Sequence, residues 1–446
     1  MKNSGQVVVR DPVHGDIRLT GEEKALLDTW EVQRLRGIRQ LGTAHLVYPG
    51  AVHTRFDHSL GTLHMAHRLC RAIDEAARAR PSELAGLGPA EERVIRLAAL
   101  VHDVTHIPFG HNIEDQSGLL ERHDSPQRIR ARLEGGEAGE VLAEAGALEQ
   151  VLSILGAGEE SVPQAWRDVL SDTISADILD YLARDAWFTG LFLRYDPRVL
   201  ALFRVDRASG RMFVDVSKGG MLREDALSEV IRVLEARYYF SERVYYHHAK
   251  ITAGALVTRA VEEALDGGAL KIQDLFEHTD ESLLSALEMC CVERAARFAR
   301  LYRRRRLPKR AAVYPRYANR DLQEEMLERF FKPGRRSERR AFEREVEKAL
   351  EKETGTRTEV ILYCPRREMQ LKESSIHVRM PGAGAPAPLS TFWERIPRIR
   401  DLEDSYRNLW KLYLLCSSPD VEVLRRAARI AESLLPGLKN TYQPGG

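Results

Sequence analysis

Leu100-Val101-His102-Asp103-Val104-Thr105-His106-Ile107-Pro108-Phe109-Gly110-His111 is the stretch that decides how this chain reads. An apolar helical run, Glu91 to Val104, delivers an adjacent His-Asp pair, and two more histidines follow on either side of Pro108. A neutral imidazole nitrogen beside a carboxylate oxygen suits a borderline or hard divalent metal. Two ligands do not hold an ion, so the others must come from elsewhere. Pro108 is expected to end the helix and let His111 turn back towards the same cleft.

Nine of the 14 histidines fall between His45 and His123, which scattered surface histidines would not do. His58 opens a long helix read from Asp57 to Ala79. Asp57 or Ser59 could cap that helix, which leaves His58 free for a metal. Asp177, Asp180 and Tyr181 follow helical spacing, Asp177 and Tyr181 as an i, i+4 pair. Their plainer reading is a helix-capping cluster. His58, His102, Asp103 and Asp177 together supply two imidazoles and two carboxylates, and helices of one bundle could converge them with positions left for water or a substrate oxygen.

The rest of the chain sets the frame. Its 446 residues can bury a large core, and a formal net charge of +1 excludes a general polyanion binder. Five cysteines without a CxxC spacing argue for a reducing, cytoplasmic setting. Met1 to Gly5 has no signal-peptide character, and no apolar stretch is long enough for a membrane span. Val7 to Leu19 and Leu202 to Val216 read as hairpins. Val141–Leu155, Glu224–Val244, Ala249–Leu265, Glu281–Leu301, Asp401–Cys416 and Val421–Leu435 read as helices, with Glu359–Tyr363 and Ile376–Met380 as two strands of one small sheet. The expected fold is mainly α: a helical-bundle core with small hairpins over residues 1–300, then a smaller α+β lobe over 301–446.

The order His, His-Asp, Asp resembles the HD-domain phosphohydrolases. Asp11-Pro-Val-His-Gly15, Gln33-Arg-Leu-Arg36, Gln40-Leu41-Gly42, Tyr48-Pro49-Gly50-Ala51, Arg55-Phe-Asp-His-Ser-Leu-Gly61, His102 to His111 and Asp180-Tyr-Leu-Ala-Arg-Asp185 resemble its dNTP triphosphohydrolase branch, which includes the animal SAM-and-HD-domain dNTPase and bacterial dGTPases. No SAM domain is read ahead of the core. The resemblance runs over roughly residues 6 to 260 and implies hydrolysis of a deoxynucleoside triphosphate at the α-phosphorus, giving deoxynucleoside and tripolyphosphate. It implies dGTP or another purine dNTP as preferred substrate.

It also implies roles. His58, His102, Asp103 and Asp177 match the ligands of a metal drawn from Fe, Mn, Zn, Ni or Co, with Mg on the substrate phosphates. His111 and Glu114 resemble the pair near the attacking water, and His123 the general acid for the 5′-oxygen. Arg55 and His106 match phosphate contacts. Gln40 and Leu41 resemble contacts to sugar and base. Asp180, Tyr181 and Asp185 fall on the sugar side, and Arg237, Tyr245 and His247 keep the spacing of further phosphate and sugar contacts. Asp28, Gln33 and Arg36 match a regulatory nucleotide pocket, with an ordinary solvated helix face as the competing reading. The resemblance further implies a possible activating nucleotide and a homo-oligomer, dimer or tetramer.

Departures exist. Ile178 and His248 stand where the animal enzyme has phosphate-binding lysines, for which Arg232, Arg243 or Lys250 could compensate, and Val7 replaces a lysine of the regulatory pocket. His64 and His67 could imitate a second metal site but lack a carboxylate and read as packing. Arg303 to Arg306 read as a solvated turn or as a phosphate or nucleic-acid contact. The rival functions are an HD phosphodiesterase acting on a cyclic nucleotide, an alarmone or a nucleic-acid end, and a non-catalytic nucleotide- or nucleic-acid-binding protein.

Overall fold

The computed structural model describes residues 7–117, 119–364 and 376–445; the Met1–Gly5 lead-in lies outside them. The protein is mainly α-helical with small sheets. Its centre is the helix Arg55–Ala79, packed against the helices Pro89–Val101 and Ala176–Thr189. Thr54 caps the central helix by accepting from the Asp57 N–H, while the Asp57 carboxylate accepts from the Thr54 N–H, a reciprocal pair that satisfies two of the donors every helix start leaves open. His58 therefore sits in the first turn with no capping duty. Leu60, Leu63, Leu69 and Ile73 are buried on the core side.

Val7–Asp11 and Gly15–Leu19 pair as the expected antiparallel hairpin. Phe203–Asp206 and Met212–Asp215 form the second, turning at Gly210, whose φ of 66° favours glycine. Several boundaries differ from expectation. The helix before the His-Asp pair stops at Val101, so His102 is its C-terminal cap and Asp103 lies in the following turn; Pro108 does not end it. The expected Val141–Leu155 helix is two, Glu137–Glu144 and Leu148–Ile154, broken at Gly146 with φ 63°. Glu281–Leu301 likewise divides into Asp280–Met289 and Glu293–Arg303. The expected Asp401–Cys416 helix holds only to Arg407. Lys411–Cys416 is instead the middle strand of a three-stranded sheet, between Lys309–Pro315 and Val360–Tyr363, because its apolar residues pair on both sides.

Ile376–Met380 does not join that sheet. His377–Arg379 runs parallel to Met212–Asp215 of the core hairpin. A second hydrophobic cluster also unites Ile107 and Phe109 of the histidine stretch with Val313, Ile361, Tyr413 and Leu415. The segments before and after residue 300 thus share a sheet and a core. Among the described residues no helix is long and apolar enough to cross a membrane. All five cysteines are free.

Candidate active site

Three helix ends meet at one point. His58 comes from the first turn of Arg55–Ala79, His102 and Asp103 from the end of Pro89–Val101, and Asp177 from the first turn of Ala176–Thr189. His58 Nε2 lies 2.9 Å from Asp177 Oδ1 and 3.3 Å from His102 Nε2. His102 Nε2 is 3.5 Å from Asp103 Oδ1 and 3.9 Å from Asp177 Oδ1. The outer nitrogens are already engaged: His58 Nδ1 with Asp180 at 2.8 Å and His102 Nδ1 with the Ala99 carbonyl at 2.7 Å. Both imidazoles therefore turn Nε2 inward, the arrangement by which outer hydrogen bonds orient histidine ligands. His58, His102 and Asp103 each offer a ligand atom within 4.8 Å of the others, a set that suits a divalent metal, and Asp177 Oδ1 lies beside both imidazoles. Without one, burial would lower the His58 pKa, but Asp177 and Asp180 on its two nitrogens push it up to about 10.

Asp180, expected on the substrate side, is instead a fully buried support. Its carboxylate takes bonds from His14 Nε2 at 2.6 Å, His58 Nδ1 at 2.8 Å, Arg184 Nε at 2.9 Å and Arg184 Nη2 at 3.0 Å. Burial would raise its pKa, yet Arg184, His14 and His58 hold it well below the usual carboxylate range. Arg184 reaches on to Asp11 at 2.8 Å, and Asp11 accepts from the Val13 and His14 N–H groups. The Asp11–Gly15 turn thus braces a metal-side histidine from behind. His14, Asp11 and Arg184 stand within sequence motifs that carry the family resemblance but were given no role, although Asp180 and Arg184 are an i, i+4 ion pair legible as such.

Beside the box, Asp103 Oδ2 accepts from Arg55 Nη1 at 2.8 Å, and Asp103 Oδ1 lies 3.2 Å from His106 Nε2. Burial would raise the Asp103 pKa, but Arg55, His102 and His106 hold it well below normal. Arg55 Nε and His106 Nδ1 are buried without a hydrogen-bond partner. The His106 ring stacks on His123 at 3.7 Å, and His111 meets both edge-on at 5.2 and 5.0 Å. His123 Nδ1 donates to Glu114 at 3.1 Å, and Arg128 pairs with Glu114 at 2.8 Å. Burial would raise Glu114; the bond from His123 and the charges of His106, His123 and Arg128 keep it ionised. His111 is exposed, and desolvation together with the neighbouring His123 and Arg55 lowers its pKa.

A third group forms along the Ala176–Thr189 helix. Asp185, 1% exposed, is bonded by His53 Nε2 at 2.8 Å and by the Tyr245 hydroxyl at 2.7 Å. Tyr245 closes a π-helical turn, Ser241–Tyr245, a bulged geometry frequent at functional sites. Burial, then Asp185 and Tyr181, raise its pKa well above normal against the opposing charge of Arg237. Gln40 Oε1 and His53 Nδ1 are buried and without a partner. His53 was not singled out from sequence; its ring stacks on Phe188 at 4.6 Å.

Other expected positions lie apart. Leu41 packs into the main core. His247 accepts the Ala249 N–H at 3.3 Å, meets Tyr48 edge-on, and with His248, Arg310 and Lys411 lines a pocket of about 310 Å³ facing the C-terminal segment. Asp28 pairs with Lys24 at 2.5 Å; Arg36 donates to Gln33 at 2.9 Å and lies 3.5 Å over the Phe56 ring. These contacts describe a solvated helix face. His64 stacks on His14 at 5.0 Å, and His67 pairs with a carboxylate, Glu92; among the described residues neither falls in a group that could hold a metal.

Family models match in two places: the HD domain over residues 55–182 and the HD associated region over 214–435. An uncharacterized protein of Methanocaldococcus jannaschii is 30% identical over 63% of this chain and 55% of its own length. The deoxynucleoside triphosphate triphosphohydrolase SAMHD1 of Gallus gallus is 28% identical over 58% of this chain and 45% of its own. This chain therefore spans about half the length of these relatives. Among solved structures, a hypothetical protein of Aquifex aeolicus superposes with a TM-score of 0.68 at 20% identity, covering 96% of this chain and 100% of that one. A phosphohydrolase of Bacteroides thetaiotaomicron gives 0.67 at 19%, covering 92% and 100%. At such identities the likeness is one of fold.

Proposed function

This chain is an HD-domain protein carrying an HD-associated region, and from that premise we propose that it is a metal-dependent dNTP triphosphohydrolase. It cuts at the α-phosphorus and releases deoxynucleoside and tripolyphosphate. The observation that carries this is the placement of two sets of side chains beside one metal box: the His123–Glu114 pair on one side, and on the other Tyr181 and Asp185 of the helix that also bears Asp177, with Tyr245 of the Ser241–Tyr245 turn donating to Asp185. Relatives that share the matched region are named deoxynucleoside triphosphate triphosphohydrolases.

A divalent ion held by His58, His102, Asp103 and Asp177 would supply Lewis-acid charge next to the phosphorus. Arg55 Nε, buried and unpartnered, presents an N–H to a phosphate oxygen, and such a preorganised donor stabilises developing charge strongly in a dry site; His106, turned with Nε2 to Asp103, lies beside it. His111, kept neutral, has a lone pair for a proton of the attacking water. Glu114 holds His123 by Nδ1–H, so the imidazolium form presents its Nε2 proton to the departing 5′-oxygen. The Asp185–Tyr245 pair with Gln40 Oε1 supplies polar partners for the sugar.

Each dNTP incubated with Mn²⁺ or Mg²⁺, with products resolved by ion exchange, tests this. Deoxynucleoside and tripolyphosphate appear in equal amounts. Pyrophosphate or monophosphate instead would mark different phosphorus chemistry, and binding without turnover across metals and activators would leave a binding protein. His123→Ala keeps the metal and slows turnover by 10²–10⁴-fold, the usual worth of a general acid; full turnover in that variant would remove His123 from the role.

A further inference from the structure

The loop that carries His106 and His111 is held from outside the HD domain. Phe109 has φ 57° and Gly110 φ 40°, and the left-handed region is unusual for a bulky side chain such as Phe109. Such a turn persists only where its surroundings fix it. Gly110 passes close to the site: a Cβ there would lie 3.0 Å from Arg55 Nη2 and 3.3 Å from His106 Nδ1.

Both ends of Phe109 are clamped. Its carbonyl accepts from Asn112 Nδ2 at 2.9 Å, and the Asn112 side chain fills the space a Cβ would need at Gly42 and at Gly254. Its N–H donates to Asp280 Oδ1 at 2.8 Å. The other oxygen, Asp280 Oδ2, accepts the Arg39 N–H at 3.0 Å, one residue before Gln40. Asp280 is 1% exposed and is the first residue of Asp280–Met289, in the HD-associated region. Beside it Arg34 donates to the carbonyls of His106, Leu275 and His278, lashing the two segments together.

We propose that Asp280 is a positioning residue for the hydrolase reading above. One buried carboxylate bridges the backbone of the Arg39–Gly42 loop to that of the His106–His111 loop. It thereby sets where His111 and Gln40 stand relative to the metal box. A charged acceptor on two backbone donors makes stronger bonds than neutral partners would. No water reaches this carboxylate to take over either bond, so losing one acceptor frees a buried N–H. Asp280 touches no reacting atom itself; it acts through the turn.

The test compares Asp280→Asn with Leu287→Ala, a core truncation on the same helix. Asparagine keeps the shape and one acceptor, and turns an N–H₂ group towards the second donor. We expect kcat to fall tenfold to a hundredfold, in line with small misplacements of reacting groups, with one metal per chain retained. Amide exchange at Phe109 accelerates at least tenfold in Asp280→Asn and not in Leu287→Ala. Unchanged kcat and exchange in Asp280→Asn would overturn the proposal, as would an equal fall of kcat in Leu287→Ala. If the wild type turns over no dNTP, the hydrolase reading falls by itself. The bridge is then judged on Phe109 exchange in the two variants: faster only in Asp280→Asn upholds it, and no difference overturns it.

Discussion

Asp177 and Asp180, three residues apart, do opposite work, and their variants separate it. The Asp177 side chain is 35% exposed and faces the box, whereas Asp180 is 0% exposed behind His58. Asp177→Ala should remove the metal with a stability change below about 1 kcal/mol, as for a surface site. Asp180→Asn leaves Arg184 buried without its full counter-charge. It should lose about 3–5 kcal/mol and weaken metal binding roughly 10–100-fold. Urea melts and metal content after dialysis against a chelator check both; an Asp180→Asn protein with unchanged metal content would show that His58 needs no support. His64 gives a pH prediction. Burial and the adjacent His14 push its pKa down to about 4 from 6.5. Between those values the unfolded chain takes up a proton that the folded one refuses, so its share of stability is lost as pH falls from 6.5 towards 4. In that window His64→Gln should flatten the stability slope by up to one proton, or about 1.4 kcal/mol per pH unit. Parallel slopes for the two proteins, from melts at pH 6.5, 5.5 and 4.5, would contradict this.

At the scale of elements, the packing of Arg55–Ala79 on Ala176–Thr189 turns on one missing side chain. A Cβ on Gly61 would lie 1.9 Å from Asp180 Oδ1 and 2.3 Å from Arg184 Nη2. Neither atom is a loose end, since each is fixed by the buried bonds around Asp180. In an open helix, Gly→Ala stabilises by about 1 kcal/mol. Here Gly61→Ala should destabilise by about 1–3 kcal/mol and weaken the metal site as Asp180 moves off His58; a stabilised variant would mean the two helices are not in register as described. Much of this was legible. The two hairpins and the central helix follow from periodicity and residue type. What periodicity does not carry is where a helix gives way to a long-range partner. Lys411–Cys416 follows helical residues without a breaker, and pairing with Lys309–Pro315 decides its state. The placement of Asp180 was missed for a related reason: a carboxylate on the ligand helix faces the substrate or the core according to what packs behind it, and Arg184 and His14 settle that only in three dimensions.

At the scale of the whole molecule, a buried charge cluster ties the segment after residue 300 to the core. Arg259, on the helix His248–Asp266, pairs with Glu262 and with Glu343 of the helix Arg336–Thr354. Arg339 reaches Glu262 at 2.6 Å. Glu343 also accepts the Leu362 N–H at 2.8 Å, and Arg259 donates to the Leu362 carbonyl at 3.2 Å, so the same cluster ties down a strand. All four side chains are nearly inaccessible: Arg259 4%, Glu262 0%, Arg339 2%, Glu343 3%. A buried network of this kind adds little net stability over apolar packing, but removing one member strands the others. Glu343→Ala leaves Arg259 with one carboxylate and the Leu362 N–H with none, and should cost about 3–5 kcal/mol. The second hydrophobic cluster runs through both segments, from Phe109 to Leu415. The loss should therefore lower one shared unfolding transition rather than free a separate C-terminal lobe. Urea unfolding followed by tryptophan fluorescence, with Trp410 buried in the C-terminal segment, and by far-UV circular dichroism should give coincident curves that shift together in the variant. Two separate transitions, the first lost when Trp393 and Trp410 are replaced by Phe, would instead make the segment after residue 300 an independent unit, and the bridge from Asp280 to the His106–His111 loop would then have to hold without its support.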